Sequence, residues 1–482
     1  MGRRAIALLG AAAVLVGCGG AAHPTGSGST LVATWADPDG NGVLAPGPGE
    51  LLRPRTDLGP AAPVTRTLFR FAQITDVHIR DEESPARVAF LDRLGGPFVS
   101  TFRPQEALTG QVLADTLRAV AAAEPQALIE TGDLIDNDQS NELDEALAVL
   151  RGGRVNPDSG APGYDGVQRT SDPDPFYYRP GVDPPRHPGL MAAAERPFTS
   201  PGSPAPWYPV LGNHDVLVQG ILGADATTQR AATGDRALWE PPRGLALPHT
   251  EAALTPAILA QLLARADVRV APDARRRELT ATQTIDRLIR ASGHGAAPGG
   301  YLDYTFDMGP DVRAVVLDLV RRDRGSGGIV RPAQLAFLRS ALAAAGRRWV
   351  VVFTPSQLER VQNGAAALAL LDRDPHVLAT IGGDTHKNRV APRRTPAGGF
   401  WEITTSSLID YPQQARAFAI RATRGGGAEI DTWMLDHPAS TGLPAISREL
   451  SYLDAQGGRP AREAGGRLDR NVRLYKPPVG RG

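Results

Sequence analysis

The chain has 482 residues, with 52 basic and 52 acidic side chains and a formal net charge of zero. That balance offers no global basic field to gather nucleic acid, and a 42% hydrophobic content excludes wholesale disorder. A single cysteine excludes an intramolecular disulfide, a zinc finger and an iron–sulfur cluster.

Arg3-Arg4 precedes an apolar run from Ala5 to Val16, the pattern of an export signal. The run is too short to span a bilayer. Leu15-Val16-Gly17-Cys18 resembles the bacterial lipobox. That resemblance implies a signal peptide over residues 1–17, lipidation of Cys18, and a protein held outside the cytoplasm by a lipid anchor in the cell membrane. Residues 18–66 carry Gly-Ser-Gly, Pro-Asp-Gly-Asn-Gly and Ala-Pro-Gly-Pro-Gly, and read as a tether.

From Leu68 the texture changes. Short apolar runs recur, and each ends in a polar cluster: Leu68–Thr75 before Asp76, Ala127–Thr131 before Gly132-Asp133, Trp207–Leu211 before Gly212-Asn213-His214-Asp215, Trp349–Phe353 before Thr354-Pro355-Ser356, and His376–Ile381 before Gly382-Gly383-Asp384-Thr385-His386. These runs are strand candidates. Helical spacing marks Pro104–Ala123 and Pro332–Ala345. Alternating strand and helix predicts an α/β body, whose sites form beyond the carboxyl ends of strands. Residues 151–206 and 216–300 read as insertions in a domain spanning 67–436. Phe400–Ser407, Ala415–Ala422 and Glu429–Leu435 read as strands of a second sheet, and 437–482 as a C-terminal extension.

Asp76 and His78 lie two apart, and on an extended strand end such residues face one way and can share a metal ion. Asp133 follows a glycine, Asn213 offers an amide oxygen and His386 an imidazole nitrogen. Carboxylate, imidazole and amide donors without thiolate suit divalent ions such as Mn, Fe or Zn. With the motifs Asp76-x-His78, Gly132-Asp133, Gly212-Asn213-His214-Asp215 and Thr385-His386 in this order, the chain resembles the calcineurin-like metallophosphoesterase superfamily. The flanking text, including Asp136–Glu142 and Asp410–Arg416, is similar to an actinobacterial secreted branch of it.

The resemblance implies a four-layer α/β/β/α sandwich of two mixed sheets. It also implies two divalent metal ions bridged by Asp133 and a phosphorylated substrate. Site one takes Asp76, His78, Asp133 and His386. Site two takes Asp133 and Asn213, while His214 serves the leaving oxygen and Asp215 orients it or caps a helix. Two departures stand out. Thr354-Pro355-Ser356 occupies the place of a ligand histidine, and Asp384 stands where the last motif has its first histidine. Asp384 as a ligand would make site two oxygen-rich and favour Mg or Mn. The implied activity is phosphomonoester or phosphodiester hydrolysis. The alternatives are a non-catalytic lipoprotein that binds a metal or phosphorylated ligand, and a mononuclear hydrolase of a different ester.

Overall fold

The computed structural model describes residues 28–457 and 463–480. Two mixed sheets form its centre. One has seven strands in the order Arg53–Arg55, Val472–Lys476, Ala428–Asp436, Gln414–Thr423, Val64–Ile74, Ala127–Thr131 and Trp207–Val210. The other has six, in the order Tyr304–Asp307, Val312–Val316, Trp349–Phe353, Val377–Gly382, Phe400–Thr404 and Arg389–Arg393.

Side-chain alternation explains the layering. In Trp349–Phe353 all five residues are buried. Val350 and Val352 pack with Leu338 and Leu368 of helices Pro332–Ala345 and Gly364–Leu371, whereas Val351 and Phe353 join the cluster between the sheets. A strand covered on both faces reads as a continuous apolar run, not an alternating one. Phe71 stacks on its cross-strand partner Phe418 at 4.4 Å, and across the interface between the sheets it meets the edge of Phe353 at 5.7 Å. Truncating such a buried ring costs about 3–5 kcal/mol. Helix Thr109–Ala122 lies on the outer side of the seven-stranded sheet, against Gln414–Thr423 and Ala428–Asp436. Helix, sheet, sheet and helix therefore stack as expected. Pro332 opens its helix at a position where no backbone N–H is needed, and Gln334 Oε1 accepts from Arg331 N at 3.0 Å.

Three boundaries differ from the sequence reading. Phe400–Thr404 belongs to the six-stranded sheet, but Gln414–Thr423 pairs antiparallel with Val64–Ile74 and so returns to the first one. Residues 28–66 of the expected tether pack on the body. Thr30 is buried, with its hydroxyl donating to Met434 O at 2.8 Å, and Arg53–Arg55 is an edge strand. The expected C-terminal extension supplies that strand's neighbour, Val472–Lys476, and helix Gly442–Gly457 against Thr109–Ala122. Pro, Gly and short runs gave these segments a loop composition, yet sheet edges admit such residues. Residues 1–27, including Cys18, lie outside the described residues.

The insertions are partly ordered by each other. Tyr177 of the first is fully buried, and its hydroxyl donates to Trp239 O of the second at 2.6 Å.

Candidate metal centre

The parallel strands of both sheets end at one rim. Asp76 and His78 follow Val64–Ile74, Asp133 follows Ala127–Thr131, Asn213 and His214 follow Trp207–Val210, and Asp384 and His386 follow Val377–Gly382. None of the five carboxylate and imidazole candidates is extended. Their φ values are 50° for Asp76, 51° for His78, 55° for Asp133, 69° for Asp384 and 53° for His386. Asp76 and His78 thus reach a common point through two left-handed residues, not through strand alternation. A left-handed backbone costs an ordinary residue roughly 1–2 kcal/mol. It concentrates where side chains must be aimed and where the surroundings hold it. The hold is visible: Asp76 N donates to Gly132 O and His78 N to Asp133 O, both at 3.0 Å.

Asp76, His78 and His386 bring donor atoms within 4.8 Å of one another. The Nε2 atoms of His78 and His386 are 3.3 Å apart, and His386 Nε2 is 3.4 Å from Asp76 Oδ1. Behind each ring stands a carboxylate: His78 Nδ1 is 3.1 Å from Asp136 Oδ1, and His386 Nδ1 is 2.5 Å from Asp410 Oδ2. Behind each carboxylate stands an arginine. Arg80 pairs with Asp136, and Arg103 Nη2 reaches Asp410 Oδ2 at 2.7 Å. Burial opposes the charge on both carboxylates, but Arg80 with His78 and His214, and Arg103 with His386, together outweigh it and hold both well below the usual range. An ionised carboxylate at Nδ1 keeps the N–H there and turns the Nε2 lone pair outward.

Two Nε2 lone pairs at 3.3 Å require a positive charge between them. Without metal a proton serves. Burial opposes a charge on His386, but Asp76 and Asp410 outweigh it and raise its pKa well above the imidazole value. Burial, with the charges of His214 and His386, lowers His78 to about 3. A metal ion at the same point would replace that proton.

The carboxylates make the same demand. Asp133 is pushed well above the usual range by burial and then by Asp76, Asp215 and Asp384. Asp384 is pushed up to about 6 by burial and Asp76, and its backbone N donates to Asp76 Oδ1 at 3.0 Å. Buried like charges of this kind are stable only with a cation or a proton among them. Asn213 donates Nδ2 to Gly220 O at 3.0 Å, which leaves its carbonyl oxygen as the coordinating end. The residues present therefore fit divalent metal ions.

His78, Asp136 and His214 form a second triplet of donors within 4.8 Å. It is a clamp, not an ion site. Asp136 is already occupied by Arg80, by His78 and, through Oδ2, by Gln219 Nε2 at 3.1 Å. His214 Nδ1 lies 2.8 Å from the Asp136 carbonyl, and its ring meets His78 edge-on at 4.6 Å.

Asp215 neither orients the His214 ring nor caps a helix. Its carboxylate accepts from Gly212 N at 2.7 Å and from Asp133 N and Ile135 N at 3.1 Å each. It ties the Gly-Asp turn to the Gly-Asn-His turn, and so positions Asp133 and Asn213 together. Gly212 permits this closeness, since a Cβ there would lie 2.1 Å from Asp133 N.

After strand Trp349–Phe353, Thr354 turns its hydroxyl to Ser356 O at 2.8 Å, and Pro355 O accepts from Gly383 N at 2.9 Å. Ser356 hydrogen-bonds Asp384. The loop after Trp349–Phe353 thus supports Asp384.

The sequence reading assigned no role to Asp136, Asp410, Arg80 or Arg103. Asp136 lies three residues after Asp133, and Asp410 stood in the flanking text, but a carboxylate near a turn has no spacing that marks it as a support for imidazole.

No family model matches the chain, and no curated protein matches it. Among solved structures it is similar to a dimetal phosphatase from Danio rerio, at 14% identity and a TM-score of 0.43, covering 77% of this chain and 97% of that one. It is also similar to a purple acid phosphatase from yellow lupin seeds, at 10% identity and a TM-score of 0.34, with 77% and 52% covered. A third likeness is the Thermus thermophilus sulfate thiohydrolase SoxB, at 11% identity and a TM-score of 0.30, with 82% and 61% covered. Likenesses this distant assign no role to any residue.

Proposed function

We propose that the chain is a metal-dependent hydrolase of phosphoesters. One observation supports this most: two buried imidazoles meet Nε2 to Nε2 at 3.3 Å beside Asp76, each held by its own carboxylate–arginine pair. Divalent ions bound there would polarise a phosphoryl group and yield a hydroxide near neutral pH. The chain's own residues do the rest. Asp76, His78, Asp133 and His386 would hold the first ion, and Asp133, Asn213 and Asp384 would hold the second. His214 sits beside them as the group that serves the leaving oxygen. The test is hydrolysis of a generic phosphomonoester and a generic phosphodiester by purified protein with added Mn²⁺ or Mg²⁺. Turnover of neither, with metal bound, would favour the binding-protein reading.

Asp384 in place of an imidazole makes the second position oxygen-rich, which favours hard ions. Asp384→Ala is therefore expected to abolish activation by added Mg²⁺ or Mn²⁺ while a metal held by Asp76, His78 and His386 stays bound, as read by titrating activity and metal content together.

We also propose that Cys18 carries a lipid and anchors the enzyme outside the cytoplasmic membrane. Cys18→Ala is expected to shift the protein out of the membrane fraction or to leave its signal uncleaved. A variant processed and membrane-bound like the parent would contradict the anchor.

A further inference from the structure

A second acidic site lies behind the catalytic turn. Residues 138–140 run antiparallel to 277–279: Leu279 N donates to Asp138 O at 2.6 Å, Ser140 N donates to Arg277 O at 2.9 Å, and Gln139 bridges to Glu278. This pairing sets the carboxyls of Asp138 and Glu278 in one pocket of about 450 Å³, with Asp225 also on its wall. Asp138 is 1% exposed and Glu278 9%. Both Asp138 oxygens and Glu278 Oε1 are buried without a hydrogen-bond partner. Glu278 Oε2 accepts from Thr228 at 2.8 Å. The one cation on the wall, Arg322, is paired with Asp318.

Three orphaned acid oxygens lining one pocket need an explanation, because a buried acid oxygen without a partner is destabilising, and more so when charged. A cation would draw several oxygens at once, and the pocket has room for waters to complete its shell. With no imidazole or thiolate among the donors, the site suits a hard ion. We infer that Asp138 and Glu278 bind a calcium ion that fastens the 216–300 insertion to the turn carrying Asp133 and Asp136. In its absence burial and then Glu278 push Asp138 well above the carboxylate range, and burial with the repulsion of Asp225 pushes Glu278 up to about 7 against its hydrogen bond from Thr228.

The test uses the full-length purified protein, dialysed against buffer containing Mg²⁺ to fill the Asp133–Asn213–Asp384 position and then titrated with CaCl2 while calcium uptake and Tm are measured. The expected result is saturable uptake of one calcium ion per chain with a rise in Tm. Asp138→Asn and Glu278→Gln should each abolish both effects. Because these changes remove a buried repulsion, each variant should fold and match or exceed the parent's Tm without calcium. His386→Ala, which disrupts the metal centre, should keep the calcium response. The inference is overturned if calcium leaves the parent's Tm unchanged, if both carboxylate variants still take up calcium, or if His386→Ala loses the response.

Discussion

His386→Ala is expected to remove the tightly held metal and reduce phosphoester hydrolysis by more than about 10³-fold, the scale of charge stabilisation and water activation that a catalytic ion supplies. His386 contributes one of the two imidazoles of the first position, and its Nε2 also faces Asp76 at 3.4 Å. Without it Asp76 keeps only one neutral imidazole, His78, beside it, while Asp133 is still repelled by Asp76. The supporting residue gives a graded control. Asp410→Asn keeps the shape and removes the charge that holds Nδ1–H, and outer-shell changes of this kind typically cost about 10–100-fold in affinity or activity. The order His386→Ala, then Asp410→Asn, then parent should hold for both metal content and rate. Equal metal in all three would place the ion elsewhere.

His214→Ala is expected to lower turnover by about 10²–10⁴-fold, the usual contribution of a general acid–base group, while metal content stays near the parent's. The two readouts separate because His214 turns Nδ1 to the Asp136 carbonyl at 2.8 Å and lies outside the Asp76–His78–His386 triplet. Its backbone N does donate to Asp133 Oδ1 at 2.9 Å, but alanine keeps that bond. An unchanged rate, or loss of metal with the ring, would remove His214 from the leaving-group role.

The strand ends were legible because a short apolar run followed by a polar cluster marks a buried strand and its exit, and the rim gathers five such exits. Asp76, His78 and His386 meet as their motifs suggest. What spacing could not show is how they meet. The sequence treats Asp76-x-His78 as strand alternation, whereas the backbone turns left-handed at both residues, a conformation fixed by the partner turn at Gly132-Asp133 and not by local preference. Asp215 was misread for a similar reason: its partners are backbone N–H groups up to 82 residues away, and no side-chain pattern encodes them. Nothing local in the sequence distinguishes Arg80 and Arg103 from the many other arginines. Only the fold sets one behind Asp136 and the other behind Asp410. The terminal segments were read from composition, and their Pro and Gly content hid an edge strand that pairs across the whole length of the chain.

Metal stoichiometry with activity tests the account most directly. The purified protein should hold one metal ion per chain after dialysis against buffer, and should hydrolyse a phosphoester faster when Mg²⁺ or Mn²⁺ is restored, with His386→Ala holding neither metal nor activity. Protein that binds no divalent metal at Asp76, His78 and His386, yet hydrolyses the phosphoester at an undiminished rate, would contradict it.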